Sequence, residues 1–261
     1  MERTKISSDN LVLKSGDYLI DSFSTLTFET EVNSQSDILI ENLPNKSYLK
    51  IIINKDSIVN LSFLAENEVE DAKIEIFIKN NGQLFGNFAD FSKNIINLKC
   101  VINLEEEEAG AYFRLASLAA GKDNKDIDIS IRHIAPRTYG KVDNYGVCKD
   151  NAKLTFLGTS HILEKSVKSK TQQNAKIMVF DEASNAIAKP ILKIDENDIE
   201  ASHAASVGKI NDEHLFYLTS RGISEAEAKE LITFGYLKPI LTGFKEEQIK
   251  EHISSLIEGR M

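Results

Sequence analysis

Hydrophobic and polar residues alternate along much of the chain between Leu11 and about Ile194. The alternation is clearest in KIEIFIK at 73–79 and DIDISIR at 126–132, where isoleucine takes every second position. Shorter runs at 38–40 and 49–53 follow the same pattern, although Ile52 interrupts it. Successive side chains of a strand point to opposite faces, so this period predicts strands with one buried face.

Short polar clusters separate these runs and supply turns. Examples are Asn-Asn-Gly at 80–82 and Gly-Lys-Asp-Asn at 121–124. Many short strands with frequent turns are typical of a sandwich, a barrel or a β-solenoid, and periodicity alone does not choose among them. No clean repeat length is visible, which counts mildly against a regular solenoid.

After residue 210 the pattern becomes helical. A first helix is predicted to begin at Asn211 or Asp212, whose short polar side chains suit an N-cap, and to end at Gly222. A second helix opens with a capping box, in which Ser224 is followed by Glu227 three residues later. These capping and terminating residues predict two helices joined by a short turn.

The second helix is predicted to close at Gly235, and residues 239–243 form a turn or a short helix. A last helix is predicted from about Lys245 to Glu258, with one apolar stripe at helical spacing. The stripe consists of Ile249, Ile253, Leu256 and Ile257.

Composition narrows the class of protein. The chain has 261 residues, a formal net charge of −9 and a pI of about 5.2. This acidic balance argues against nucleic acid and against anionic membranes as partners. No apolar run approaches a membrane span, and residues 1–6 lack the apolar core of a signal peptide, so a cytoplasmic location is expected. Two cysteines, Cys100 and Cys148, predict neither a disulfide framework nor a zinc cluster.

One string is more specific than these patterns. The chain reads ASHAASVGKI at 201–210, LFYL at 215–218 and SRGI at 220–223. This string resembles the SufB/SufD family, scaffold subunits of iron–sulfur cluster assembly, and alanine before Ser-His makes it more similar to SufD. Looser matches lie upstream at 145–147, 156–158, 172–174 and 190–194.

The resemblance implies a mostly β fold. Its core would be a right-handed parallel β-helix (β-solenoid), followed by a C-terminal helical tail. We expect a β-helix core domain at residues 1–207 and a helical domain at 208–261. Larger family members carry a further N-terminal helical region, so the chain is expected to be a short form.

The resemblance also implies a function without catalysis: a scaffold subunit of a SUF-type iron–sulfur cluster assembly complex. The chain would pair with a SufB-like chain, or with itself as a dimer, by strand addition between about Lys176 and Ile194. The C-terminal helices would dock a SufC-like ABC ATPase. The bland alternative is that the tail only caps one end of the solenoid and covers an open sheet edge, and the two roles are compatible because a cap can also present an outer face to a partner. This chain shows no Walker motif and is not expected to bind nucleotide. The docking region implied by the family includes Leu231, Ile232, Leu237 and Ile240.

His203 is the strongest candidate site residue. The resemblance implies a transient cluster or iron ligand at an interface with the partner, and neutral imidazole binds iron readily. The alternative is a hydrogen-bonded histidine that orders the turn into the helical tail. Relatives often have cysteine where this chain has Ala201, and a methyl group cannot replace a thiolate. One histidine cannot complete a four-ligand site, so a site shared with a partner is expected.

The other cysteine, glutamate and histidine candidates are interpreted as structural or surface residues. Cys100 and Cys148 are interpreted as small core residues. The run Glu105–Glu108 is interpreted as a solvated acidic turn, because successive side chains cannot converge on one ion. His133 and His161 show no ligand spacing, and the sequence predicts that His214 and His252 lie exposed on helices.

A different class remains as the alternative function. A β-helix enzyme acting on polysaccharide would need two carboxylates flanking the scissile bond, and Asp126, Asp128 and Asp181 are available. The absence of tryptophan and of a signal peptide argues against this enzyme. A third hypothesis is a purely structural interaction module.

Overall fold

Parallel strands wind the chain into a two-faced β-solenoid in the computed structural model, which describes residues 3–6 and 9–261. Odd-numbered strands form one sheet, the odd sheet, and even-numbered strands form the other, the even sheet; every strand pair is parallel. The strands are β1 Thr4–Lys5, β2 Leu11–Leu13, β3 Gly16–Ile20, β4 Thr25–Thr30, β5 Gln35–Glu41, β6 Ser47–Ile53, β7 Ile58–Ala65, β8 Val69–Ile78, β9 Gln83–Asp90, β10 Ile95–Leu104, β11 Gly110–Ala119, β12 Asn124–His133, β13 Tyr139–Cys148, β14 Lys153–Ile162, β15 Lys170–Val179, β16 Asn185–Ile194 and β17 Glu200–Lys209. The expected β-solenoid with C-terminal helices is confirmed.

The interior between the two sheets is filled by the alternating apolar residues. Every isoleucine singled out in 73–79 and 126–132 is fully buried, whereas the residues between them are exposed or half-buried. The strand pattern read from the sequence is therefore confirmed. In register, these side chains stack in columns from one coil to the next.

The length of a coil changes along the solenoid. Tyr18 pairs with Ile38, 20 residues later, whereas Tyr139 pairs with Lys170, 31 residues later. The strands lengthen in parallel, from 5 residues in β3 to 10 in β15. A drifting coil length explains why the sequence shows no fixed repeat.

The three α-helices follow the last strand. They are α1 Asp212–Ser220, α2 Glu225–Leu237 and α3 Glu247–Glu258, with a 3₁₀ helix at Lys238–Gly243 between the last two. Asn211 caps α1, and Ser224 with Glu227 forms the predicted capping box of α2. The prediction that α2 ends at Gly235 is wrong. Glycine ends a helix when it adopts positive φ, as Gly222 does at 89°, but Gly235 stays helical and costs α2 only about 1 kcal/mol.

The helical layer, defined here as residues 212–261, lies along the outer face of the odd sheet. The 3₁₀ helix packs on β7, β9 and β11, and α2 packs on β13. The expectation that these helices cap an end of the solenoid is therefore wrong; they cover a sheet face. The apolar cluster between them consists of Leu39, Leu64, Ala89, Phe91, Ala116, Leu118, Val147, Met178 and Ile210 beneath Leu237, Ile240, Phe244, Ile253 and Ile257.

Charged contacts hold the helical layer against the solenoid at two places. Arg3 Nε lies 2.7 Å from Glu246 Oε1, and Arg3 Nη2 lies 2.8 Å from Asp37. Near the middle of the odd sheet the Arg260 guanidinium contacts Asp123 and the backbone carbonyls that follow β9. These partly buried contacts fix the layer in register with the strands.

Candidate functional site

The C-terminal end of the solenoid is open. β16 is the edge of the even sheet and β17 is the edge of the odd sheet, and each has a neighbour on one side only. All ten residues of β17 are exposed, and no residue of β16 is fully buried. We call the exposed edges of β16 and β17 the open end.

His203 lies in the middle of β17, in register with Gln173 of β15. The inward-facing residues of β15, which include Gln173, Ala175 and Ile177, are buried. Their partners in β17 occupy the same face, so His203 continues an interior column at the open end. Its neighbours on that face are Ala201, Ala205 and Val207.

The structure does not support the alternative that His203 orders the turn into the helical tail. Five residues of β17 lie between it and the end of the strand at Lys209. Among the described residues, no hydrogen bond to its imidazole occurs, and the side chain is exposed. Both ring nitrogens are therefore available to a ligand.

The surroundings of His203 supply little else that binds metal. Ala201 presents a methyl group on the same face of β17, and the inward positions of β16 are mainly apolar. Within residues 3–6 and 9–261, no group of three or more His, Cys, Asp or Glu side chains could hold a metal ion. The described residues around His203 therefore do not form a metal site by themselves.

Both cysteines lie in the solenoid core, as predicted. Burial raises the pKa of the Cys148 thiol to about 11, and burial also raises the pKa of Cys100. The thiolate is the form that binds metal, so both side chains are poor ligands at neutral pH.

The other titratable candidates are also accounted for by local contacts. Burial lowers the pKa of His133 to about 4, and its Nδ1 pairs with Thr138 Oγ1 at 2.8 Å. His161 Nε2 lies 2.6 Å from Asp195. Residues 105–108 form a turn between β10 and β11 and pair with Lys79 and Arg137, which confirms a solvated acidic turn.

The three carboxylates of the polysaccharide alternative lie on different parts of the fold. Asp126 and Asp128 lie on the outer face of β12, where partial burial and the neighbouring Asp128 raise the pKa of Asp126. Asp181 follows β15 and accepts a hydrogen bond from the backbone N–H of Asp150 at 2.6 Å. Asp181 also lines a surface cavity with Asp150 and Glu225, but neither Asp126 nor Asp128 lines this cavity.

Two buried amides near the open end were not identified from the sequence. Gln173 and Asn144 face the interior. Among the described residues, Gln173 Nε2, Gln173 Oε1 and Asn144 Oδ1 have no hydrogen-bond partner. Gln173 was visible within the Gln-Gln-Asn match at 172–174, but that match did not show which residue faces inward. The alternation of side chains between the two faces of β15 identifies Gln173 as the inward-facing residue.

Exposed apolar side chains mark the first two helices. No residue of α1 is buried, and Phe216 is 74% exposed, with Tyr217 and Leu231 also exposed. Of the residues implied for docking, Leu237 and Ile240 are fully buried against the odd sheet. The accessible apolar surface is therefore carried by α1 and by the outer side of α2. None of the described helices is long and apolar enough to span a membrane.

These features define a parallel β-solenoid with an open C-terminal end and a helical layer on one sheet. A family model described as "SUF system FeS cluster assembly, SufBD core domain" matches residues 20–236. The chain therefore belongs to the SufBD core family, which confirms the resemblance read from residues 201–223.

Individual relatives agree with this assignment. The iron–sulfur cluster assembly protein SufD of Bacillus subtilis is 34% identical over 141 residues, covering 54% of this chain and 32% of the relative. SufB of the same organism is 26% identical over 269 residues, covering 90% of this chain and 58% of the relative. A SufBD family protein of Staphylococcus epidermidis is 27% identical over 201 residues, covering 75% and 43%. The chain thus matches between about a third and somewhat more than half of the length of these relatives.

Proposed function

We propose that the chain is a cytoplasmic, non-catalytic scaffold subunit that helps to assemble an iron–sulfur cluster, which it carries as cargo. The observation that carries the proposal is the accessible imidazole of His203 on an unpaired edge strand, in a chain of the SufBD core family. His203 supplies one nitrogen ligand, and the partner chain supplies the ligands that this chain lacks.

The open end is the proposed pairing surface, because unpaired strand edges are satisfied by another chain. The expectation that pairing uses 176–194 needs a correction. The part of that range in β15 already pairs with β13 and β17, so its backbone groups are taken. Among the described strands at this end of the solenoid, β16 and β17 have an unpaired edge.

Backbone direction favours β17 over β16 for pairing. Asn185 N–H and Asp195 N–H donate to β14 or its flank, so the backbone N–H groups of the odd-numbered residues of β16 point to β14 and those of the even-numbered residues point to the open edge. Pro190 therefore lies where an N–H would face the open edge, and proline has no such donor. The edge of the even sheet is interrupted at that point, whereas β17 contains no proline. We assign pairing with a SufB-like chain, or with a second copy, mainly to β17.

The exposed apolar side chains of α1 and α2 are the proposed docking surface for a SufC-like ABC ATPase. A helix with no buried residue gains little from packing on its own fold, and exposed aromatic residues are enriched among interface hot spots. The helical layer is anchored to the odd sheet, so movement of the bound ATPase would be passed to the strands.

Phe216→Asp tests this docking surface. We expect binding of the ATPase to weaken roughly tenfold to a hundredfold, which is the effect of losing an aromatic hot spot. The thermal midpoint should change little because Phe216 is 74% exposed. Val32→Asp is the matched control, since Val32 is 61% exposed in a turn before β5 and the charge change is the same. Equal binding by both variants, measured by calorimetry, would place the docking surface elsewhere.

His203→Ala tests the ligand role. We expect the amount of cluster recovered on the complex after anaerobic reconstitution to fall roughly tenfold or more, since even second-shell changes have effects of that size. His161→Ala is the control, because His161 also lies on a strand near the open end but is paired with Asp195. The thermal midpoint of His203→Ala should be unchanged, as the side chain is exposed. Full cluster occupancy in this variant would remove His203 from the ligand set.

A further inference from the structure

Gln173 is buried in a place where the fold has no use for an amide. Its side chain is 3% exposed, and among the described residues neither Nε2 nor Oε1 has a hydrogen-bond partner. It lies beside a small cavity lined by Asn144, Gly158 and Pro190. An unsatisfied buried polar group costs roughly 1–3 kcal/mol.

The column that contains Gln173 is otherwise apolar up to the open end. Phe113 pairs with Val142, Val142 pairs with Gln173, and Gln173 pairs with His203. Leucine or valine would continue the packing of Phe113 and Val142. The polar residue appears one strand before the candidate ligand.

Distance makes a contact between the two side chains feasible. Adjacent strands are about 4.8 Å apart, and in-register residues on one face lie side by side. The amide of Gln173 is therefore within reach of the imidazole of His203, whose ring has no hydrogen bond within the described chain. Local rule-breaking in an otherwise consistent core often indicates a functional position.

We propose that Gln173 is the positioning residue of His203. The two side chains are not bonded in their present rotamers; a rotation of both brings the Gln173 amide to one ring nitrogen of His203, where the bond selects the tautomer and orientation of the imidazole and leaves the other nitrogen free to bind a metal of the cluster. The ligand role of His203 rests on the proposed function; the hydrogen bond does not. When a partner covers the open end and excludes water, Gln173 remains as a polar neighbour of His203.

The test compares Gln173→Leu with Asn144→Leu in the whole chain as purified. Asn144 is a matched control because its side chain is also a buried, incompletely paired amide that faces the interior, but it pairs in register with Ala175 and not with His203. Nitrogen-15 NMR of histidine-labelled protein reports the tautomer, and His203→Ala assigns the signal. We expect one dominant His203 tautomer in the unmodified chain and in Asn144→Leu, and a mixture in Gln173→Leu.

Two further measurements, the thermal midpoint and the amount of cluster recovered, distinguish a positioning role of Gln173 from a structural one. Gln173→Leu should keep or raise the thermal midpoint, because it replaces an unsatisfied amide with an apolar side chain, and should lower cluster recovery roughly tenfold. An unchanged tautomer, or a large drop in the thermal midpoint, would overturn the proposal. A changed tautomer with full cluster recovery in both Gln173→Leu and His203→Ala would instead reject the ligand role of His203 while leaving the hydrogen bond in place.

Discussion

A chain cut after Gly208 is expected to aggregate instead of leaving a stable solenoid. The cut removes the helical layer and exposes the outer apolar face of the odd sheet, including Leu39, Leu64, Phe91 and Leu118. Each large apolar side chain loses roughly 1.5–3 kcal/mol of burial, so six of them lose roughly 9–18 kcal/mol, which is comparable with the whole stability of a domain. Light scattering and circular dichroism of the truncated chain measure this outcome.

Point variants in the helical layer give a graded version of the same test. Ile253→Ala removes a fully buried side chain from α3 and should lower the free energy of unfolding by about 2–5 kcal/mol. Leu231→Ala is the matched control on α2, where the side chain is 53% exposed, and should cost less than about 0.5 kcal/mol. A truncated chain that stays monomeric and melts near the temperature of the unmodified chain would show that the layer is not part of the core.

The sequence does indicate that the outer face of the odd sheet is covered, but a search for alternating apolar residues does not detect this. Ile38, Leu39 and Ile40 are consecutive, apolar and all buried. In a strand, consecutive apolar residues mean that both faces are covered. The helical stripe of α3 was predicted correctly, but only the doubled apolar positions of the strands show which surface receives it.

The position of His203 could not be read from local pattern. Residues 200–209 contain mostly small side chains, so neither apolar alternation nor turn residues identify β17 as a strand. An edge strand with one neighbour buries little and needs no apolar face. The resemblance singled out His203, whereas its inward parity and its pairing with Gln173 required the register of the sheet.

The backbone of β17 determines where pairing can be tested without damage to the fold. Glu200 N–H donates to Ser169 O at 3.0 Å, and Ile210 N–H donates to Val179 O at 3.1 Å. In a parallel strand the backbone groups of alternate residues point to opposite sides. The even-numbered N–H groups of β17 therefore point to β15, and the odd-numbered groups point to the open edge.

Ala205→Pro should disrupt pairing of the open end. The substitution removes a donor that faces the open edge and leaves the ladder to β15 in place. We expect association with a SufB-like chain, or with a second copy, to weaken at least about tenfold, while the thermal midpoint changes little. Multi-angle light scattering and co-purification measure the association.

Ala204→Pro is the matched control one residue away. It removes a donor to β15, so it should lower the thermal midpoint in addition to any effect on association. Proline at Val179 would be a poor test of pairing for the same reason, because Lys170 N–H and Phe180 N–H point to β13 and its flank, which directs Val179 N–H to β17.

The even sheet already contains a proline in its edge strand. Pro190 lies in the middle of an edge strand with its nitrogen directed to the open edge, and β16 still pairs with β14 over all ten residues. Proline at a β17 position whose N–H faces the open edge, such as Ala205, should therefore leave the solenoid folded. If Ala205→Pro associates as tightly as the unmodified chain, strand addition at β17 is wrong, and side-chain contacts of the open end must hold the partner instead.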